Sequence, residues 1–282
     1  MTITITPQHI TQQVQLALAE DIGTGDVTAN LIPDKQQITA QVICREDAIL
    51  CGTQWFNEVF QQLDSSIEIS WTSGDSDKVE QNQIICMVKG LARPILTGER
   101  TALNFLQTLS GTATITNEYV NALEGTNTKL LDTRKTIPNL RLAQKYAVSC
   151  GGGINHRIGL YDAILIKENH ITAAGSIAKA VSQAKQTNSE LFLEVEVETL
   201  EQLQQAIDAG AQRALLDNMN TDTLKQAVET NNGQLELEAS GGITIKNIKE
   251  VALTGVDYIS IGSITKHVQA IDLSMIFSNQ AD

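Results

Sequence analysis

The chain has 282 residues, 42% of them apolar and 19% charged, long enough for one large domain or two unequal ones and able to bury a sizeable core. Its 20 basic residues face 33 acidic ones, a net charge of −13 that disfavours nucleic acid and anionic lipid as partners. No apolar run approaches the ~20 residues of a membrane span. Met1 to Gln15 carry no Lys or Arg, so the cationic start of a signal peptide is missing. Cys44, Cys51, Cys86 and Cys150 have neither metal-knuckle nor disulfide-framework spacing and read as free thiols in a reducing cytoplasm.

In chain order, residues 9–20 predict a helix with Ile10, Val14, Leu16 and Leu18 on it, ended by the turn Gly23-Thr24-Gly25-Asp26. Strands are expected over Ile38 to Ile43, Ile67 to Trp71 and Ile84 to Val88, with a helix around Trp55 to Leu63. Pro94 opens a long helix whose stripe is Leu96, Leu103, Leu106 and Leu109. His9, His267 and the acidic turn Asp75 to Asp77 read as surface, and Cys150 as a small packed thiol.

Beyond about residue 112 the pattern becomes regular. Apolar strands at 129–133, 162–166, 191–197, 213–217, 235–240 and 258–263 alternate with amphipathic helical segments, which implies right-handed βαβ units on a parallel sheet. Six strands fall two short of a closed eight-stranded barrel, and no G-x-G-x-x-G follows a strand. The expected fold class is therefore α/β, an incomplete, TIM-like barrel at 112–271 preceded by an α/β sandwich domain at 1–111. The segment 272–282 is expected to pack back on that first domain.

In parallel α/β folds ligands gather at the carboxyl ends of strands. Here those ends carry Asp132-Thr133-Arg134-Lys135, Lys167-Glu168-Asn169-His170, Glu196 with Glu198, Asp217-Asn218, Ser240-Gly241-Gly242 and Gly262-Ser263. From Lys129 to His170 seven basic residues stand against three acids, and His156 and His170 lie in the same stretch. Such a cationic patch on an acidic chain suits a small polyanion. Glu196 and Asp217 are placed to hold a hard divalent cation, Mg2+ on phosphate oxygens, and the glycine loops to cradle a phosphate. Lys167, following an apolar strand, is also in the position of a Schiff-base lysine.

The strings DTRKT at 132–136, GGGINHRIGLYDAILIKENHI at 151–171, EVEVE at 194–198, LLDN at 215–218 and EASGGI at 238–243 resemble quinolinate phosphoribosyltransferase. EDIGTGDVTANLIP at 20–33 and GERTALNFLQTLSG at 98–111 match that family's amino-terminal signatures. The resemblance implies Mg2+-dependent transfer of phosphoribose from phosphoribosyl pyrophosphate to quinolinate with loss of carbon dioxide, in de novo NAD biosynthesis. It further implies that Arg134, His156 and Arg157, helped by Lys135 and Lys167, hold the two carboxylates. Glu196 and Asp217 would bind ribose hydroxyls and metal, with Glu196 preferred to Glu198 by family spacing. Lys135, Lys167, Glu196 and Asp217 make up the catalytic set. Ser240, Gly241 and Gly262 would take the 5′-phosphate, and Arg100 would complete the site of a neighbouring subunit in a homodimer, the smallest active unit. Related transferases with another acceptor (nicotinate-type or the molybdenum-locus paralogue), a Schiff-base aldolase and a catalytically inert scaffold are the competing readings.

Overall fold

The computed structural model describes residues 5–278; Met1 to Thr4 and the last four residues of the expected 272–282 segment lie outside them. The elements in order are α1 (Pro7–Ile22), β1 (Gln37–Cys44), β2 (Ala48–Ile49), α2 (Thr53–Leu63), β3 (Glu68–Trp71), β4 (Lys78–Val79), β5 (Ile84–Leu91) and α3 (Ala92–Ala122). Then come β6 (Lys129–Leu131), α4 (Arg141–Cys150), β7 (Ile164–Ile166), α5 (Glu168–Ala174), α6 (Ile177–Thr187), β8 (Leu193–Val197) and α7 (Leu200–Asp208). The chain closes with β9 (Arg213–Asp217), α8 (Thr221–Asn231), β10 (Glu236–Ser240), α9 (Ile248–Ala252), β11 (Tyr258–Ser260), α10 (Ser263–Lys266) and β12 (Leu273–Ser278).

The described residues divide into two compact units, one of residues 5–117, 142–152 and 267–278, the other of 118–141 and 153–266. The chain thus passes between units inside α3, after Asn117, and most of α4 belongs to the first unit.

In the first unit a four-stranded antiparallel sheet has the order β12-β1-β5-β3. β12 pairs with β1 from Thr39↔Ser278 to Cys44↔Leu273, so the end of the chain becomes an edge strand of the sheet that begins it. The alternating burial of β1 leaves Ile38, Ala40, Val42 and Cys44 inward, the period-2 pattern of a half-covered strand. α2 buries Trp55, Phe56, Val59 and Phe60, and the Phe56 ring meets Trp71 edge-on at 5.2 Å. α1 ends at Gly23, as expected, but Leu16 is 71% exposed and only Ile10, Val14 and Leu18 are buried. On α3 the core side is Ile95, Leu103, Leu106 and Leu109; Leu96 lies half-buried beside it, because the pitch of 3.6 residues carries the stripe through 95.

The second unit carries a parallel six-stranded sheet in the order β6-β11-β10-β9-β8-β7. These are the six strands expected from the sequence. The sheet remains open, with β6 and β7 at its edges and a single bridge, Leu131↔Ile154, beyond β6. Helices α7 and α8 follow their strands within a few residues, with side-chain oxygens capping them at once: Thr199 accepts from Gln202 N and Asn220 from Thr223 N. Such short loops hold the residues at the strand ends in fixed positions.

Candidate active site

Register decides which residues share the inner face of the sheet. Glu194 on β8 lies opposite Arg213 on β9, which lies opposite Glu236 on β10. One step toward the carboxyl ends, Glu196 and Glu238 flank Leu215; at the rim Asp217 stands beside Ser240. Since side chains alternate, these form one inward set, and a cavity of about 560 Å3 opens above them. That volume suits a small-molecule site. Its walls gather Arg134, Lys135, His156, Arg157, Lys167, Glu196, Asp217, Ser240 and Gly241.

The two arginines set the character of the pocket. Burial and then the neighbouring Arg134 charge hold Arg157 below the usual guanidinium range, against the pull of Glu194 and Asp162. Arg134 Nε is buried without a hydrogen-bond acceptor, although the backbone carbonyl of Arg134 accepts from Arg141. An orphaned donor next to a second guanidinium is an arrangement that an anion completes.

His156 lines the cavity from a loop that Asp132 shapes. Asp132 is fully buried, and its carboxylate accepts from the His156 amide (2.8 Å) and the Asn155 side chain (2.7 Å). Nδ1 of His156 accepts from the Arg157 amide (2.7 Å), so Nε2 faces Glu194 (2.9 Å) and Glu238 (3.4 Å). Burial opposes a charge here, but the contacts to two carboxylates outweigh it and raise the imidazole to about 9. Glu194, desolvated and next to Glu238, is raised to about 7. Glu238 is fully buried, which opposes its charge, yet the His156 contact, Ser260 and Arg213 hold it below the ordinary range. Beneath them the Arg213 guanidinium bonds Glu236 (2.7 Å) and stacks between Phe192 and Tyr258, 4.9 and 4.1 Å from the ring centres.

A histidine whose folded pKa lies above its unfolded 6.5 contributes stability that is complete below pH 6.5 and lost as pH rises through about 9. Wild-type Tm is therefore expected to fall between pH 6.5 and 9.5 more steeply than that of His156→Gln, measured in the same buffers. Parallel curves would show that the imidazole is not charged in the fold.

Lys167 and Glu196 form an ion pair across the mouth of β7 and β8, half-exposed at the lysine and largely shielded at the acid. The Lys167 amine is engaged by a carboxylate rather than presented to a carbonyl, which counts against a Schiff-base role. Glu198 is exposed, donates its amide to Gln202 and stays off the cavity wall, so geometry agrees with Glu196 as the acid at the site. Asp217 accepts from Asn218 (2.8 Å). Gly241 has φ +93°, and a Cβ there would sit 2.1 Å from Asn218 Oδ1, so a side chain would displace the rim loop. Gly262 does not line the cavity; it lets the Lys135 stem pass, which a Cβ would meet at 2.9 Å. His170 caps α5, its Nδ1 accepting from the Lys167 amide (3.0 Å). Arg100 is exposed on α3, in the first unit.

Asp132 is more deeply placed than a strand-end position alone suggests, and Leu215, Glu238 and Ser260 join the site without having stood out by residue type. Their signal is present only as inward parity: Glu238 and Ser240 share a face, as do Leu215 and Asp217.

The family model for the C-terminal domain of quinolinate phosphoribosyl transferase matches residues 112–276, and that for its N-terminal domain matches residues 26–110. The chain belongs to the quinolinate phosphoribosyltransferase family. Among its relatives, the probable nicotinate-nucleotide pyrophosphorylase of Bacillus subtilis is 43% identical over 91% of this chain and 89% of its own length. The chloroplastic nicotinate-nucleotide pyrophosphorylase of Arabidopsis thaliana is 40% identical over 95% and 84%. The solved nicotinate-nucleotide pyrophosphorylase of Francisella tularensis superposes with a TM-score of 0.94 at 53% identity, covering 98% of each chain. Human nicotinic acid phosphoribosyltransferase shares the fold alone, at 11% identity and a TM-score of 0.59. The quinolinate phosphoribosyltransferase motifs of this chain therefore sit on the family's fold, and Arg134, Lys135, His156, Arg157, Lys167, Glu196 and Asp217 from them converge on one cavity.

Proposed function

We propose that this cavity transfers phosphoribose from phosphoribosyl pyrophosphate to the ring nitrogen of quinolinate, releasing pyrophosphate and carbon dioxide and leaving nicotinate mononucleotide. The observation that carries the reading is the adjacent pair Arg134 and Arg157, with a buried guanidinium donor that no protein acceptor satisfies. Two cations side by side match two neighbouring carboxylates on one ring, and the imidazole of His156 adds a third positive group.

Lys135 and Lys167 supply point charges for phosphate oxygens. Glu196 and Asp217 reach the rim from adjacent strands, and two carboxylate oxygens together with substrate phosphates are the donor set Mg2+ prefers. When bound, the ion would neutralise charge on the departing pyrophosphate. The carboxylates also suit hydrogen bonds from ribose hydroxyls, holding C1′ in line with the pyridine nitrogen. The Ser240 hydroxyl and the Gly241 amide suit the 5′-phosphate. Once the nitrogen is alkylated, the cationic ring stabilises the electron pair left on its carbon when the bond to the adjacent carboxylate breaks, and that carbon takes up a proton, so the protein's part is to position the ring in a desolvated pocket. No covalent nucleophile is needed.

No helix among the described residues is long and apolar enough to cross a membrane, and four free thiols fit a reducing compartment, the cytoplasm. A homodimer is the working unit in this reading, with exposed Arg100 completing the partner's pocket. Mixing inactive Arg100→Ala with inactive Lys167→Ala is expected to restore part of the activity through hybrid dimers; subunit exchange without recovery would remove the shared site.

The direct assay supplies phosphoribosyl pyrophosphate with carboxyl-labelled quinolinate. One carbon dioxide per nicotinate mononucleotide is expected, with nicotinate a poor substitute. Turnover of nicotinate at the quinolinate rate would instead favour a transferase with another acceptor.

A further inference from the structure

A second constellation lies in the first unit, away from the transferase chemistry. Cys51, just before α2, Asp75, in the β3–β4 loop, and Cys150, the last residue of α4, bring two sulfurs and a carboxylate oxygen within 4.8 Å of one another. Spacing along the chain carries no hint of this, since Cys51 and Cys150 are far apart and Asp75 reads as surface. Asp75 is instead half-buried and held by three donors: Oδ1 accepts from Gly52 N and Thr53 N (3.0 Å each), Oδ2 from the Tyr146 hydroxyl (2.8 Å). Cys51 is clamped as well, its amide donating to Ser110 Oγ (2.9 Å) and its carbonyl accepting from that hydroxyl (3.1 Å).

Among the described residues no Lys, Arg or His forms an ion pair with Asp75. This contrasts with His156, Glu194 and Glu238, where Arg213 supplies a cation. Two thiols next to a fixed carboxylate are a donor set whose protons a thiophilic cation displaces.

We propose that Cys51, Cys150 and Asp75 form a binding site for a borderline-soft d10 divalent cation of the Zn2+ class. Two thiolates and one carboxylate match that ion's preferences, and ligands about 2.3 Å from a tetrahedral centre stand about 3.8 Å apart, within reach of the spacing seen. Burial first, and then the Asp75 charge, push the Tyr146 hydroxyl far up, so it stays a neutral donor that orients Asp75 and leaves the fourth position to water. Half-buried Cys150 gives the ion its way in, whereas Cys51 is sealed inside. Binding releases the protons of both thiols, and the site carries one net negative charge when full.

The test uses the whole protein, reduced with a phosphine and freed of metal, titrated with Cd2+ as a spectroscopic probe. One equivalent is expected to produce sulfur-to-cadmium charge-transfer absorption. Cys51→Ser and Cys150→Ser should each abolish the band, Asp75→Asn should weaken binding roughly tenfold or more, and Cys86→Ser should leave it intact. Should the cysteine variants fail to fold, cadmium X-ray absorption on the wild-type complex still counts the ligands, two sulfurs with light-atom neighbours being the expected shell. A wild-type titration without the band, a band that survives either cysteine variant, or a shell lacking two sulfurs would overturn the site. Phosphoribosyl transfer is not needed for any of these readings.

Discussion

Arg134→Ala is expected to lower kcat/KM for quinolinate by about 100-fold or more, chiefly through KM, with little change in KM for phosphoribosyl pyrophosphate or in Tm. The magnitude follows from the hydrogen bonds that the substrate would forfeit. A guanidinium on a carboxylate makes charge-assisted bonds worth about 1.5–3 kcal/mol each, and a bidentate pair makes two. Little stability should go with them, because the Arg134 side chain has an orphaned buried nitrogen, while the bond from Arg141 goes to its backbone. Removing the charge also relieves Arg157 of a neighbouring like charge, which works against any loss of stability. Arg134→Lys is expected to recover only part of the affinity, since an ammonium lacks the planar fork. Steady-state kinetics with each substrate varied in turn, beside thermal melts, separate these effects. An unchanged quinolinate KM would mean that this guanidinium does not meet the diacid.

The parallel sheet was legible because its strands are continuous apolar runs with polar ends, and all six occur where the sequence places them. Strand-end polarity likewise pointed to the residues that line the cavity, since an end residue needs no knowledge of its neighbours to be placed. Features that depend on nonlocal packing were not legible. Glu194 and Glu238 look like the polar half of half-exposed strands, yet they are buried, because Arg213 and His156 reach them from other segments. Asp75 sits in a polar turn that reads as surface, but its carboxylate caps α2 and bonds Tyr146. Leu16 fits a helical stripe by spacing and is nonetheless exposed, since the stripe only says which side an apolar residue lies on, not how far the neighbouring elements extend. Neither could local pattern assign most of α4 to the first unit while its first residue, Arg141, stays with the second.

The buried acid under the site gives the largest expected loss of stability. Glu238→Ala leaves Arg213 with Glu236, which is half-exposed, and leaves the His156 imidazole with Glu194 alone. Exchanging a whole buried ion network for apolar groups can be neutral, but deleting one member strands the others, at about 3–5 kcal/mol. A fall in Tm on the order of 10 °C is expected. Glu238→Gln preserves shape and most of the packing, so its melt should fall much less while the charge effect remains. With one of two carboxylates neutralised, the imidazole loses its proton at a pH below about 9, and the alkaline limb of kcat/KM for quinolinate should move toward neutrality. The pair of variants thus separates the two jobs of one side chain, filling and bracing the interior in the first case and keeping His156 charged in the second. A Glu238→Ala protein as stable as wild type would show that the charges of this layer do not depend on one another. A Glu238→Gln profile superimposable on wild type would show that Glu194 alone sets the imidazole.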